Sequence, residues 1–448
     1  MNRLTLRRGL GLRHYSYYPP PEPFNSPSAR PPPTNISSSN NTSDSPAPIS
    51  SLSTFGATPN LLSRYLRIAP TQLTLSSIVA LGGGKPGVPP SDKQLLNSAR
   101  FTAKELPVRL ARRVDQFRSL PFIVGSNPYI SKIAKLYASS FDSLASIIPI
   151  KTLSENDKFV EKLDEMVNSH SENIPTLARG FLECKKYMSS NAISMFLDGA
   201  IHSRIGIRLI AEQHLALSYA HKTGQTSNPN SVGIIDTKVN AYDLIQTCAD
   251  FVGDLCESTL GVQPELHIEG DRDATFVGVA SHLSYCMTEL LKNSYRATVE
   301  RHAKKQDSFS MRKSGDTAHI PPVLVSIALS PKMLSIRIRD QGGGISPKDL
   351  PHIFEYTFTT AKSGSNQEPT DDGPYSIQNS GGTDLGALTG NGSSGLLSAN
   401  GMVMSGLGYG IPLTRIYVQR GRGTLSIVSM YSFGTDTYLQ IRANPLTD

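Results

Sequence analysis

The run Ser281–Glu300, SHLSYCMTELLKNSYRATVE, constrains this chain more than any other stretch. Glu289, Asn293 and Arg296 recur at spacings of four and three, so a helix here brings all three onto one face. Cys286, Met287, Leu290 and Leu291 take most of the remaining positions and are expected to meet a core. A carboxylate can accept the proton of a hydroxyl or a water. A neutral carboxamide oxygen suits a hard Mg²⁺ ion that also carries phosphates. Taken alone, the same pattern also describes a solvated helix face with one i, i+4 contact. The downstream sequence separates the two.

Two glycine clusters follow. In IRIRDQGGGIS, Asp340, Gly342 and Gly344 close an alternating apolar strand of Leu334, Ile336 and Ile338. In SGLGYGIPLTRIYVQ, Gly406, Leu407, Gly408, Tyr409 and Gly410 run directly into a helical pattern. Glycine permits close backbone approach, and a helix N-terminus offers unpaired N–H groups to an anion. A single GxGxG also occurs in ordinary turns. The ordered set ELLKN, DxGxG, GxGxG and SFGTD (Ser432–Asp436) is far more specific.

These four boxes resemble the ATP-binding fold shared by type II topoisomerases, Hsp90, MutL and sensor histidine kinases, the GHKL superfamily. Within it the chain is most similar to the mitochondrial kinases of the 2-oxo acid dehydrogenase complexes, the pyruvate dehydrogenase and branched-chain kinases. The similarity runs from about Arg64 to Arg442 and includes ARFTAKELPVRLARRVDQFRSLPFIVGSNP, IGIRLIAEQHLAL and NSYRATVE. Sensor kinases share the nucleotide boxes but not these N-terminal segments.

The resemblance implies an α+β chain of two domains, an N-terminal four-helix bundle and a C-terminal α/β sandwich. It implies ATP and Mg²⁺, with K⁺ as a further ion, and a protein substrate, the E1α subunit. A homodimer docked on the lipoyl domain of the E2 core follows from the same resemblance. Carried over residue by residue, Glu289 orients and deprotonates the acceptor hydroxyl, and Asn293 ligates Mg²⁺. Lys292 and Arg296 are candidates for phosphate charge, although Lys292 sits one residue off the Asn293 face. Asp340 accepts from the adenine amino group with Thr435 nearby, within the loop of Gly342 and Gly344. The amides of Gly406, Leu407, Gly408, Tyr409 and Gly410 cradle phosphates, and Thr359 and Thr360 belong to the lid entry. Positions matching Arg204, Arg208 and His170 line a bundle pocket for inhibitory 2-oxo acids in this family. Forked cationic donors suit a small carboxylate.

The match has departures. Pyruvate dehydrogenase kinases usually carry a histidine one turn before the catalytic glutamate; here Tyr285 stands there, as in the branched-chain kinase. LPFIVGSNP and the FTTA segment also tilt towards the branched-chain member. With no Trp in the chain, the Asp-Trp tail of animal pyruvate dehydrogenase kinases is missing.

The rest of the chain is consistent with this reading. Met1–Tyr18 is Arg-rich, acid-free and amphipathic, the mark of a mitochondrial transit peptide, with a cleavage pattern placing the cut after Tyr15. This directs the chain to the matrix. Residues 16–60 read as a disordered Pro/Ser-rich linker. Residues 61–225 carry helical periodicity over Ser91–Leu120, Pro128–Ile148, Glu155–His170, Thr176–Met188 and Ala192–Tyr219. Residues 231–445 form the ATP-binding domain, with helices at Tyr242–Thr259 and Ser281–Glu300 and strands at 266–269, 323–329, 334–339, 423–429 and 437–442. Arg301–Pro322 reads as a surface loop, and 357–405, part of an aperiodic stretch from Asp349, as a lid over the nucleotide.

The charge of +7 is partly concentrated in the first thirteen residues, so it gives little reason to expect a nucleic-acid partner. Four cysteines without metal-type spacing read as buried thiols. No apolar run is long enough to cross a bilayer. Gly82–Lys85 lacks phosphate-loop spacing. His214, in AEQHLAL, reads as a packed histidine; a sensor-type kinase would instead use it as phosphate acceptor. A non-catalytic nucleotide-binding scaffold on E2 is the other alternative.

Overall fold

Pro107 lies inside the longest apolar-periodic run of the N-terminal half, yet the helix there is continuous. The computed structural model describes residues 59–147, 149–307, 320–356, 358 and 408–446. Two short helices, α1 (Pro59–Leu66) and α2 (Leu75–Leu81), precede that long helix, α3 (Asp92–Arg118). At the start of α2, Thr74 Oγ1 accepts from the Ser77 amide and Ser77 Oγ from the Thr74 amide, satisfying two end donors reciprocally. Then come α4 (Phe122–Gly125), α5 (Pro128–Ala145), α6 (Leu153–Ser169), α7 (Asn173–Glu183) and α8 (Ser190–Thr223). α3 packs against α5, α6 and α8, α5 against α7, and α6 against α8. Leu106, Leu110, Phe141, Leu163 and Phe181 are fully buried between them. α8 ends at Gly224, whose φ of 68° is the left-handed cap that glycine adopts without a β-carbon penalty.

The second half opens with β1 (Ser231–Val232), β2 (Ile235–Asn240), α9 (Ala241–Leu260), β3 (Leu266–Gly270) and β4 (Thr275–Gly278). α10 (Ala280–Asp307), β5 (Val323–Leu329), β6 (Met333–Arg339), α11 (Gly410–Arg420), β7 (Thr424–Met430) and β8 (Gly434–Arg442) follow. A three-stranded sheet has the order β1-β2-β4, and a five-stranded sheet the order β3-β5-β6-β8-β7. Only β3 and β5 pair in parallel within the larger sheet; its other pairs are antiparallel. Val325 pairs with Ile338, and Ile336 with Leu439, so buried residues align across three strands. α10 packs between α9 and α11 and touches β5 and β6, while α11 touches β7 and β8. Helices α8 and α11 meet, so one continuous core joins the helical region to the sheet region.

The structure revises several boundaries. α7 begins at Asn173, ahead of the expected Thr176. Pro175 falls in the first turn, where its missing N–H has no intrahelical acceptor to lose. α10 extends to Asp307, seven residues into the expected loop, because nothing in RHAKKQD breaks a helix. The stretch from Asp349 is not all aperiodic: Leu350–His352 form a 3-10 turn, and Ile353 and Tyr356 are buried. Strands β1, β2 and β4 have no counterpart in the sequence reading. The transit peptide, most of the 16–60 linker, Thr359 and Thr360, nearly all of the lid, and Gly406 and Leu407 lie outside the described residues.

Candidate nucleotide and phosphoryl-transfer site

α10 positions the first box as its spacing requires. Met287 and Leu291 are fully buried on the core side, with Cys286 and Leu290 close to it. This turns Glu289, Asn293 and Arg296 towards a partly open face, where all three are half-buried. Lys292 does not reach outwards. Its Nζ lies 2.8 Å from Glu289 Oε1, with the side chains 4% and 13% exposed. A nearly buried ammonium therefore holds the carboxylate's rotamer, a positioning role in place of the expected phosphate contact. Arg296 lies 3.4 Å from Glu300, one turn on.

The glycine at the start of α11 meets this carboxylate. A β-carbon at Gly410 would overlap Glu289 Oε2. Gly408 has φ of 80°, and a β-carbon there would overlap the Phe358 carbonyl. The second glycine box is thus sequence that lets the N-terminus of an eleven-residue helix approach the acid. Alanine at position 410 is expected to displace the Glu289 carboxylate and lower kcat by about 10²-fold, the usual consequence of an ångström-scale misplacement. Circular dichroism should show the fold retained; an unchanged kcat would refute this contact as the reason for the glycine.

Asp340 closes β6 and is 7% exposed. Its Oδ1 accepts from the amides of Gly342 at 2.8 Å and Thr435 at 3.2 Å. Among the described residues the other oxygen has only a long contact of 3.5 Å from Ser294 Oγ, one residue past Asn293 on α10. Burial, opposed by those hydrogen bonds, pushes the carboxyl up to about 6. One oxygen anchors the loop and the other is left to accept from an incoming donor. Gly342 sits so close to α10 that a β-carbon would strike Ala297. The second and fourth boxes are stitched together by Ser432 N, which donates to Gly343 O at 2.7 Å, and α10 joins them through Arg301 Nη2, which reaches Ser432 O at 2.5 Å.

Tyr285, one turn before Glu289, is buried with its ring 5.2 Å from Tyr417. Burial and the Glu289 charge raise its hydroxyl well above the ordinary range, so it stays protonated. Sequence reading missed a link between the halves of the chain. Tyr356 donates to Asp198 Oδ1 of α8 at 2.5 Å, Arg415 of α11 lies 3.7 Å from the same carboxylate, and the Tyr356 ring is 5.2 Å from Tyr409. No spacing rule flags residues 158 positions apart.

In the helical region, His170, Arg204 and Arg208 do converge. His170 accepts at Nδ1 from Asn173 Nδ2 at 2.7 Å, which leaves Nε2–H to donate to Ser140 Oγ at 2.8 Å. Burial, then Arg204 and Arg208, push it down to about 3, so it is neutral. Arg204 reaches the Ser171 carbonyl at 2.9 Å, while its Nε and Nη1 have no hydrogen-bond partner among the described residues. Arg208 pairs with Glu212. His214 is fully buried between Ser98 and Asn156, each 3.0 Å away, in keeping with a packed histidine.

The site tests well against a Mg²⁺ nucleotide. An open carboxylate oxygen, a helix N-terminus freed by glycine, and a carboxamide beside a carboxylate match adenine, phosphate and metal demands in turn. Among the described residues no cluster of three His, Cys, Asp or Glu could cage a metal. A metal held jointly by one carboxamide and substrate phosphates needs none.

Comparison with known proteins agrees. Residues 72–236 match the family model described as mitochondrial branched-chain alpha-ketoacid dehydrogenase kinase. Residues 278–445 match that of the histidine kinase-, DNA gyrase B- and HSP90-like ATPases. The mitochondrial pyruvate dehydrogenase (acetyl-transferring) kinase of Arabidopsis thaliana is 32% identical over 79% of this chain and 87% of its own length. The chain belongs to the mitochondrial 2-oxo acid dehydrogenase kinase family. Isozyme 3 of the mitochondrial pyruvate dehydrogenase kinase of Mus musculus is 29% identical over 86% of this chain and 84% of its own length. The Schizosaccharomyces pombe pyruvate dehydrogenase kinase is 26% identical over 85% and 95%. As a member of this family the chain has its two matched regions meeting where α8 packs on α11.

Proposed function

We propose that this chain is a mitochondrial matrix protein kinase that phosphorylates a serine of the E1α subunit of pyruvate dehydrogenase and so switches that complex off. The observation that carries the reading is Glu289 held by Lys292 against Gly410, on the helix whose next turn bears Asn293. When bound, ATP with Mg²⁺ supplies the transferable phosphoryl group. Glu289 orients the acceptor hydroxyl and takes its proton, and Asn293 is the protein's ligand for Mg²⁺, with K⁺ a further candidate. Asp340 accepts from the adenine amino group, and the amides of Gly408, Tyr409 and Gly410, with Gly406 and Leu407 before them, meet phosphate oxygens. Thr359 and Thr360 of the FTTA segment are further candidates for nucleotide contact. Phosphoryl transfer asks mainly for such positioning and charge stabilisation.

The helical region supports a four-helix regulatory bundle whose His170, Arg204 and Arg208 receive an inhibitory small carboxylate. The half-satisfied Arg204 guanidinium supports that reading. A homodimer bound to the lipoyl domain of E2 is the assembly that family membership favours.

Pyruvate dehydrogenase is chosen because the relatives described above are named for it. Tyr285 and the description of the N-terminal family model favour the branched-chain enzyme as the second reading. Purified E1 of each complex, incubated in turn with the kinase and labelled ATP-Mg²⁺, decides between them. Acid-stable label on pyruvate dehydrogenase E1α with matching loss of its activity is the expected result. Label confined to branched-chain E1 transfers the assignment, and acid-labile label on the kinase itself, or none, refutes it.

A further inference from the structure

Outside the nucleotide site and the His170 cluster, the described residues line a partly open cavity of about 310 Å³ where the helical region meets the sheet region. That volume lies at the lower end of small-molecule pockets, about 300–1,000 Å³. Leu75 of α2, Leu209 of α8, Phe276 of β4, Val279 and Leu283 beside and on α10, and Ile441 of β8 make its walls largely hydrocarbon.

Arg420, the last residue of α11, lines the same space. Among the described residues no carboxylate pairs with its guanidinium and no hydrogen bond satisfies it. Its near cationic neighbour is Arg109, and both guanidinium groups lie against Gly206 of α8. Arg109 already has its partners, Glu105 at 2.9 Å and the Thr71 carbonyl at 2.6 Å. Burial, and then Arg109, push Arg420 down to about 10, so it stays charged at neutral pH. His282, also in the wall, is neutral: burial, Arg420 and Arg208 push it down to about 3. Thr74, Ser76, Arg422 and Arg442 also line the cavity, and Arg422 and Arg442 have partners of their own. Arg420 is thus a cation in this wall with no counter-ion among the described residues, beside a largely hydrocarbon surface. A buried ion without a counter-ion is unfavourable, and a forked guanidinium matches a carboxylate.

We propose that this cavity binds a small amphiphilic monocarboxylate, with Arg420 holding the carboxylate and Leu75, Leu209, Phe276 and Ile441 enclosing the hydrocarbon body. His170, Arg204 and Arg208 do not line this cavity, although its wall residues Tyr417 and His282 feel the charge of those arginines. The cavity does share elements with the nucleotide site. His282, Leu283 and Cys286 stand on α10 ahead of Glu289, and Tyr417 and Val418 on α11 beyond Gly410. An occupant would touch α8, α10 and α11 at once. Binding itself does not depend on which protein the kinase phosphorylates.

Octanoate is a suitable probe, with octan-1-ol as the uncharged control. Titration calorimetry on the full chain should give octanoate at least about tenfold tighter binding than octan-1-ol, as expected for a charge-assisted contact. Arg420→Gln should remove that preference, while Arg204→Gln should leave it. In the unmodified protein, a diazirine-bearing octanoate analogue should label the peptides carrying Leu75, Phe276 or Ile441, a readout that stands even if Arg420→Gln fails to fold. Equal affinity for octan-1-ol, an Arg420→Gln chain that keeps the preference, absent binding, or label confined to the peptides around His170 would each overturn the proposal.

Discussion

Glutamine at position 289 should slow phosphoryl transfer by about 10²–10⁴-fold, the range for losing a positioned general base. The amide has the carboxylate's shape, so the approach of Gly410 and the path of α10 need not change. Its oxygen can still accept from Lys292, but the ammonium loses its counter-charge at a site where it is 4% exposed. The expected stability cost is about 1–3 kcal/mol, as for a buried charged group that keeps its hydrogen bond and loses its ion partner. Single-turnover transfer to E1, nucleotide affinity and thermal melting separate these effects. Slow transfer with nucleotide binding intact is the signature of a base. A variant that phosphorylates E1 at the parent rate would remove Glu289 from the chemistry and favour a scaffold role.

Asp340→Asn should weaken ATP binding by about 100-fold while leaving the chain folded. The introduced carboxamide would retain an oxygen for the Gly342 and Thr435 amides, but its NH₂ group would face the adenine amino group donor to donor. Losing a charge-assisted hydrogen bond of about 3 kcal/mol accounts for that factor. The parent's affinity should also fall as pH drops through about 6, where the carboxyl takes up its proton. The sign for stability is the reverse. The folded pKa of about 6 lies above the ordinary 3.8, so the folded state binds the proton more tightly. The protonated form's advantage is full below about 4 and is lost as pH rises through 6. Affinity measured from pH 5 to 8 should therefore slope for the parent and be flat for the variant. Equal affinities at pH 8 would show that Asp340 does not read adenine.

Much of the site was legible because its chemistry is local. Glu289 and Asn293 share a face through helix spacing, and Asp340 with Gly342 closes a strand whose alternation is plain. Core positions Met287 and Leu291 followed from the same period. Edges were harder. Helix ends at 173 and 307 depended on how a first-turn proline and a polar run are tolerated, which periodicity does not encode. β1, β2 and β4 are short, and β4 becomes a strand by pairing with β2 across the intervening α9, a contact that neither segment signals alone.

The sequence by itself determined the family, the order of the boxes and the acid, amide and glycines that serve a nucleotide, because those requirements are met by residue type at fixed short spacing. Only the tertiary structure decided that Lys292 turns inward onto Glu289, that Ser294 approaches Asp340, and that Tyr356 reaches Asp198. It also left Arg420 beside a cavity with no counter-ion among the described residues. Those outcomes depend on which surfaces meet after the helices and sheet have packed, and a side chain's partner across such a contact is chosen by proximity and burial, which no local spacing carries.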